Sequence, residues 1–248
     1  MVIGSSNVEL EHLKLEHMSI APTTPFFDAL VNRLSGPGLA EVLALRTTAT
    51  PKSDGSYVTE GDLLVQRIVL ELIETHLPDA LLVSEEMENT TVQVPPGRWV
   101  VVLDPIDGTE NFTSGLAEWG ISVCCYIDGR HAGSLIGAPE MGQWLRSGQT
   151  LTRFRSRIRG LSSSLGKEDI LKVGVGPEYR MLGCCVVNMM NVIRGSFLTF
   201  ENPKGARSWD IIAGFNLALE HGLSVEVDGQ PYTGAYLPPD GKYRFKVG

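Results

Sequence analysis

Four carboxylates in this 248-residue chain fall where sites are commonly built. Glu85 follows the apolar run 80–83, Asp104 and Asp107 follow the run 99–103 within DPIDGT, and Asp210 opens WDIIAGFNLALEHG. Strand ends and helix starts are frequent positions for functional residues. Magnesium takes oxygen ligands, keeps some of its water and is usually held by one or two carboxylates plus substrate phosphate, so this set could hold two or three ions. Pro105 fixes the backbone after Asp104. The three-residue offset can aim Asp104 and Asp107 at one point, joined by the peptide oxygen of Ile106. Gly108 lets the main chain approach a ligand closely. Gly108 and Thr109 can offer N–H groups to a phosphate if a helix begins there, which leaves the Thr109 hydroxyl to orient a water. Taken singly, each feature also has a plain reading. Asp-Pro and Asp-Gly are ordinary turn pairs, Glu85-Glu86 is a solvated pair, and Asp210 is a charge favoured by a helix dipole. Those separate readings give no reason for all of them to occur together.

The rest of the composition narrows the chemistry. A formal charge of -8 argues against binding to nucleic acid polymers, which favours a basic face, but allows a phosphorylated substrate if cations screen the acidic site. The cysteines form two adjacent pairs, Cys124-Cys125 and Cys184-Cys185, without the CxxC spacing of zinc or redox motifs, and read as buried thiols in a reducing cytosol. Histidines 12, 17, 76, 131 and 221 are scattered, so any metal falls to carboxylates. No run of eighteen apolar residues suggests a membrane span, and MVIGSSNVELEHLKLEH is too polar for a secretory signal, so a cytoplasmic location is expected.

Positioning these residues requires a mixed architecture. Thr24-Pro25 predicts a helix start before FFDALVNRL, the glycines of SGPG break it, and LAEVLALR predicts a second helix. PKSDGS is a loop. Thr59 caps the amphipathic segment EGDLLVQRIVLELIETHL, with Leu64, Ile68 and Leu72 on one face. Runs 80–83 and 99–103 predict strands, the second stopping at Asp104 before a DPIDGT loop. GISVCCYI and HAGSLIGA predict a hairpin turning at Asp128-Gly129. Residues 145–180 are the least patterned, with a strand within RFRSRIRGLSSS and a short helix at KEDILKV. VVNMMNVIRG predicts a helix, SFLTF a strand, and WDIIAGFNLALEHG a helix ending at Gly222. LSVEV and an Asp228-Gly229 turn follow. Hairpins combined with crossovers predict stacked α and β layers.

These residues carry a resemblance. VTEGD (58–62), VSEE (83–86), VLDPIDGTENF (102–112), RMLGCCVVNM (180–189) and SWD (208–210) resemble the inositol monophosphatase family, within the lithium-sensitive, magnesium-dependent phosphatase superfamily, over about residues 45–227. The resemblance implies an α+β fold, a layered αβαβα sandwich of the inositol monophosphatase and fructose-1,6-bisphosphatase type. It implies one unit over 1–248, with a metal-binding half at 1–140 and a smaller substrate-facing half at 141–248. It makes Glu85, Asp104, Asp107, Asp210 and the Ile106 carbonyl ligands of two or three Mg2+ ions, with Li+ inhibitory. Glu85 and Thr109 would hold the attacking water, supported by Asp62. Asp107, Gly108, Thr109, Glu201 and Asp210 would contact substrate, Glu201 as acceptor of a substrate hydroxyl. NPKGARS departs from the family as a longer connection between Glu201 and Trp209, where Lys204 and Arg207 either add an anion contact or are solvated. The implied activity is hydrolysis of a small phosphorylated metabolite by metal-activated water, with inositol monophosphate first. A 3'(2'),5'-bisphosphate nucleotide and a histidinol or sugar phosphate are the alternatives within the superfamily. A non-catalytic regulator that binds metal or phosphate is the alternative of another class. A homodimer is also implied by the resemblance.

Overall fold

The computed structural model describes residues 23–53, 55–87, 96–173 and 178–248. The polar N-terminal segment read as lacking a secretory signal lies outside the described residues. Proline and glycine punctuate the first elements: α1 (Thr23–Arg33) is separated from α2 (Pro37–Leu43) by Gly36 at a φ of 62°. β1 (Thr50–Pro51) and β2 (Tyr57–Val58) pair antiparallel around the PKSDGS turn. α3 (Glu60–His76) begins at Thr59 through a capping box, in which the Thr59 hydroxyl accepts the Gly61 and Asp62 N–H groups and Asp62 accepts the Thr59 N–H.

The central sheet runs β3 (Leu81–Ser84), β4 (Trp99–Asp107), β5 (Gly120–Ile127), β6 (Arg130–Ala138) and β7 (Gln143–Arg146), in that order, with α4 (Thr109–Thr113) following β4. β3 and β4 are parallel and the remaining pairs antiparallel. Residues alternate between two cores: Val101, Leu103 and Val123 join α1 and α3, whereas Val100, Val102, Cys124 and Tyr126 face the opposite side. A strand covered on both faces has no solvent side, which is why 99–103 reads as an unbroken apolar run. Asp128 and Gly129, at φ 51° and 72°, make the β5–β6 turn as the sequence predicts.

The second half supplies β8 (Arg159–Leu161), α5 (Lys167–Val173), β9 (Tyr179–Arg180), α6 (Cys185–Ile193), β10 (Thr199–Ala206), α7 (Ser208–Glu220), β11 (Val225–Val227), β12 (Gln230–Pro231) and β13 (Tyr243–Val247). Its sheet has the order β12-β11-β13-β10-β8-β9. Val186 and Met189 of α6 and Ile211, Ile212 and Phe215 of α7 are buried between this sheet and the central one, with Phe200, Phe245 and Val247 on the far side. The packed order is therefore helices, sheet, helices, sheet, a layered α+β fold. The short α5 buries none of its residues and is tied to β10 by Lys204 to Asp169 at 2.9 Å.

The strand expected to stop at Asp104 continues to Asp107. Asp104 pairs with Ser122 and Asp107 with Gly120, so three steps along β4 oppose two along β5. This is a bulge, a place where the ladder tolerates Pro105 and the chain re-aims its side chains. No helix among the described residues is long and apolar enough to cross a membrane.

Candidate metal and phosphate site

Strand register brings the first two carboxylates together. Ser84 of β3 lies beside Leu103 of β4, and the Glu85 N–H donates to the Leu103 carbonyl at 3.3 Å, so Glu85 emerges next to Asp104. α7 delivers Asp210 from its first turn, where its Oδ2 accepts the Arg207 N–H at 2.9 Å. Oxygen atoms of Glu85, Asp104 and Asp210 lie within 4.8 Å of one another. Asp104 is 1% exposed and its Oδ1 has no hydrogen-bond partner among the described residues. Burial pushes the Asp104 and Asp210 carboxyls well above their usual range, and repulsion from Glu85 and Asp107 adds to it. A buried oxygen without a donor, in a cluster of mutually repelling carboxylates, fits a divalent cation: the cation supplies the missing partner and cancels the repulsion.

Asp107 neighbours this triplet and is anchored from the other side. Its Oδ2 accepts the Cys184 thiol at 2.9 Å and the Val186 N–H at 2.5 Å. Burial raises its pKa to about 6 despite those donors. Gly108 has a φ of 81°, and a Cβ there would lie 3.0 Å from the Cys184 Cβ, so the turn into α4 requires glycine. The Thr109 hydroxyl donates to the Ile106 carbonyl at 3.0 Å. That carbonyl has a second lone pair for a ligand role.

Asp62 is buried and accepts both the N–H and the hydroxyl of Thr59, at 2.7 and 2.6 Å. Burial, aided by the charge of Glu85 and opposed by the Thr59 hydrogen bonds, raises its pKa to about 6. Asp62 is thus in electrical contact with the cluster, while the hydrogen bonds of Asp62 and Thr109 run to Thr59 and Ile106 respectively. Glu201 stands apart. It faces Arg159, with Nη2 to Oε1 at 2.5 Å, and lines a different surface pocket with Glu226 and Lys246. Side chains alternate along a strand, so its neighbours Phe200 and Asn202 face the cavity beside Asp107 and Asp210.

Two residues gain a role from the structure. Lys52, read only as part of a loop, places its Nζ 2.8 Å from Glu85 and 2.6 Å from Glu86. Glu86, which the resemblance does not require, has a pKa raised to about 7 by burial, against the lowering effect of Lys52. An apolar-free loop gives no periodicity from which such a contact could be read. The cysteines are free: Cys124, Cys125 and Cys184 are buried and Cys185 half-buried.

A cavity of about 250 Å³ opens at Asp107 and Asp210, lined also by Ser162, Asn188, Arg207 and Lys242. It is smaller than the ~300–1,000 Å³ of drug-sized sites, which suits a small metabolite.

The model of the inositol monophosphatase family matches residues 33–170, just over half of the chain. The chain is 34% identical over 94 residues to a protein named glucose-1-phosphate thymidylyltransferase from Streptomyces griseus, covering 38% of this chain and 36% of that protein. It is 26% identical over 200 residues to Nus factor SuhB of Escherichia coli strain K12, covering 70% of this chain and 73% of that protein. Against 3'-phosphoadenosine 5'-phosphate phosphatase of Mycobacterium leprae the figures are 24% over 206 residues, 72% and 73%. Among solved structures, a dual-specific IMPase/NADP phosphatase bound with D-inositol-1-phosphate shares the fold at a TM-score of 0.73 and 18% identity, covering 93% and 91% of the two chains. An IMPase/NADP phosphatase complexed with Mg2+ and phosphate superposes at 0.71 and 18%, covering 97% and 90%.

Proposed function

The chain belongs to the inositol monophosphatase family, whose members are phosphatases acting on phosphate monoesters, and on that premise we propose that it is a Mg2+-dependent phosphomonoesterase for a small phosphorylated metabolite. The observation that carries this reading is the convergence of Glu85, Asp104 and Asp210, from the end of β3, the edge of the β4 bulge and the first turn of α7, within 4.8 Å. Those three residues, with Asp107 and the Ile106 carbonyl, would hold the metal. Magnesium bound there supplies two things: a lowered pKa for its water and neutralisation of phosphate charge.

The chain's own groups do the rest. Glu85 and the Thr109 hydroxyl orient the attacking water toward phosphorus. Gly108 and Thr109 present N–H groups to the phosphate oxygens. Asp107 is held in place by Cys184 and Val186, so its free oxygen keeps a fixed direction. Phosphoryl transfer of this kind depends on positioning and charge, and no covalent nucleophile is required. Inositol monophosphate is the substrate that the resemblance puts first, and a nucleotide bisphosphate the second. The neutral Asn202 facing the cavity, in place of Glu201, favours the second. Assembly as a homodimer and a cytoplasmic location belong to the same reading.

Purified protein with magnesium is expected to release inorganic phosphate from members of a phosphomonoester panel. Glu85→Gln and Asp107→Asn are expected to lower kcat/KM by more than about 100-fold, beyond what a supporting-residue change produces, while circular dichroism stays unchanged. Release at parental rates from both variants contradicts the ligand assignment. Magnesium binding with no release from any ester would leave a non-catalytic metal and phosphate binder.

A further inference from the structure

Resting on the phosphomonoesterase reading, we propose that the substrate's alcohol half carries a second anionic group, a phosphate or a carboxylate, received by Arg207 and Lys242 in the cavity beside Asp107 and Asp210. Three cations stand around this wall. Lys204 is engaged by Asp169 at 2.9 Å. Arg207 and Lys242 line the cavity and have no carboxylate partner among the described ion pairs. The Arg207 guanidinium is held in position: its Nη1 donates to the Asp240 carbonyl at 2.7 Å, and its Cζ lies 5.9 Å from the centre of the Trp209 ring. An arginine has five donors in a planar fork, so most remain for a ligand.

The composition of the wall points the same way. The carboxylates in the cavity lining are Asp107 and Asp210, both committed to the metal side. The carboxylate expected to accept a substrate hydroxyl, Glu201, points to the other face of β10, toward Arg159. Besides Asp107 and Asp210, the charged groups lining the wall are the two cations, set among the neutral side chains of Asn188 and Asn202 and the hydroxyls of Ser162 and Ser164, bonded to each other at 2.8 Å. In a chain of net charge -8, two cations in one small cavity with no partner among the described ion pairs form an anion-receiving surface.

Two matched pairs of substrates test this in the magnesium-loaded protein. Glycerol 3-phosphate and 3-phosphoglycerate differ by a carboxylate, and adenosine 2'-phosphate and adenosine 2',5'-bisphosphate by a phosphate. In at least one pair, kcat/KM is expected to favour the doubly anionic member by about tenfold or more, the size of a charge-assisted contact. The pair that shows the preference identifies the anion. Lys242→Met and Arg207→Met are each expected to shrink that preference several-fold, chiefly through KM, with thermal melting as the check on folding. The preference is also expected to fade with added salt. Equal or reversed rates in both pairs, or a preference that persists in both variants, overturn the second-anion site while phosphate release still upholds the phosphatase reading. Release from inositol monophosphate but from none of the four overturns the second-anion site alone, and release from none of the five overturns both.

Discussion

Lys52 acts on the site as a tethered cation. Its ammonium sits between Glu85 and Glu86 at 2.8 and 2.6 Å, so two carboxylates that would otherwise repel are bridged. Lys52→Met removes the bridge and leaves partly buried charges facing each other. The metal-free variant is expected to lose about 1–3 kcal/mol, less than the ~3–5 of a fully buried pair because Lys52 keeps some contact with water. Magnesium is expected to restore more stability to the variant than to the parent. Denaturant unfolding with and without magnesium reads both, and identical midpoints for parent and variant would contradict the role. At this scale the chain was largely legible: Glu85, Asp104 and Asp210 meet, although Asp104 does so from inside β4 beside its bulge rather than from a strand end. Glu201 and Lys52 were less legible for different physical reasons. Which face Glu201 takes depends on strand register against β8 and β13, and register is set by long-range pairing. Lys52 reaches Glu85 across 33 residues from a turn with no hydrophobic pattern.

The element that couples local folding to the site is α3. Its capping box satisfies three backbone donors and also fixes Asp62, whose burial raises its pKa to about 6. Thr59→Ala removes a hydroxyl that accepts two N–H groups and donates to Asp62 at 2.6 Å. A loss of about 1–2 kcal/mol in unfolding free energy is expected, at the upper end for a cap because the site is buried. Thr59→Ser keeps the hydroxyl and is expected to recover most of it; equal losses in the two variants would show that the cap is not the cause. Capping chemistry is local, and so the start of α3 was readable from VTEGD alone. The bulge in β4 was not, because Asp-Pro followed by Asp-Gly has the composition of a turn, and only the pairing of Asp107 with Gly120 keeps it in the sheet.

Across the whole molecule, the layers bury several carboxylates where β3, the β4 bulge and the starts of α3 and α7 meet. Burial raises Asp62 and Asp107 to about 6 and Glu86 to about 7, from ordinary values of 3.8, 3.8 and 4.5. Groups raised in the folded state bind more protons there than in the unfolded chain. Their contribution is therefore fully favourable below the unfolded values and is lost as pH rises through about 6 to 7. His131, lowered to about 4 by burial, works in the opposite direction between pH 4 and 6.5. Magnesium replaces the protons on the carboxylates and leaves His131 alone, so the increment it adds to Tm isolates the cluster. That increment is expected to be larger at pH 7.5 than at pH 5; an equal or smaller one would place the ion elsewhere. The alternation of mixed helices and hairpins made the layered class readable, whereas the second sheet's order, with β8 and β9 beside β10, depends on pairings that residues 145–180 do not announce.

The most direct test is to locate the ion. Crystals grown with Mn2+, an oxygen-seeking stand-in for Mg2+, and inorganic phosphate give anomalous peaks that mark metal independently of any assay. The expected result is a peak at about 2.1 Å from oxygens of Glu85, Asp104 and Asp210, with phosphate density reaching the Gly108–Thr109 turn. Peaks confined to other carboxylates, or a well-ordered site with no peak at saturating Mn2+, would contradict the account.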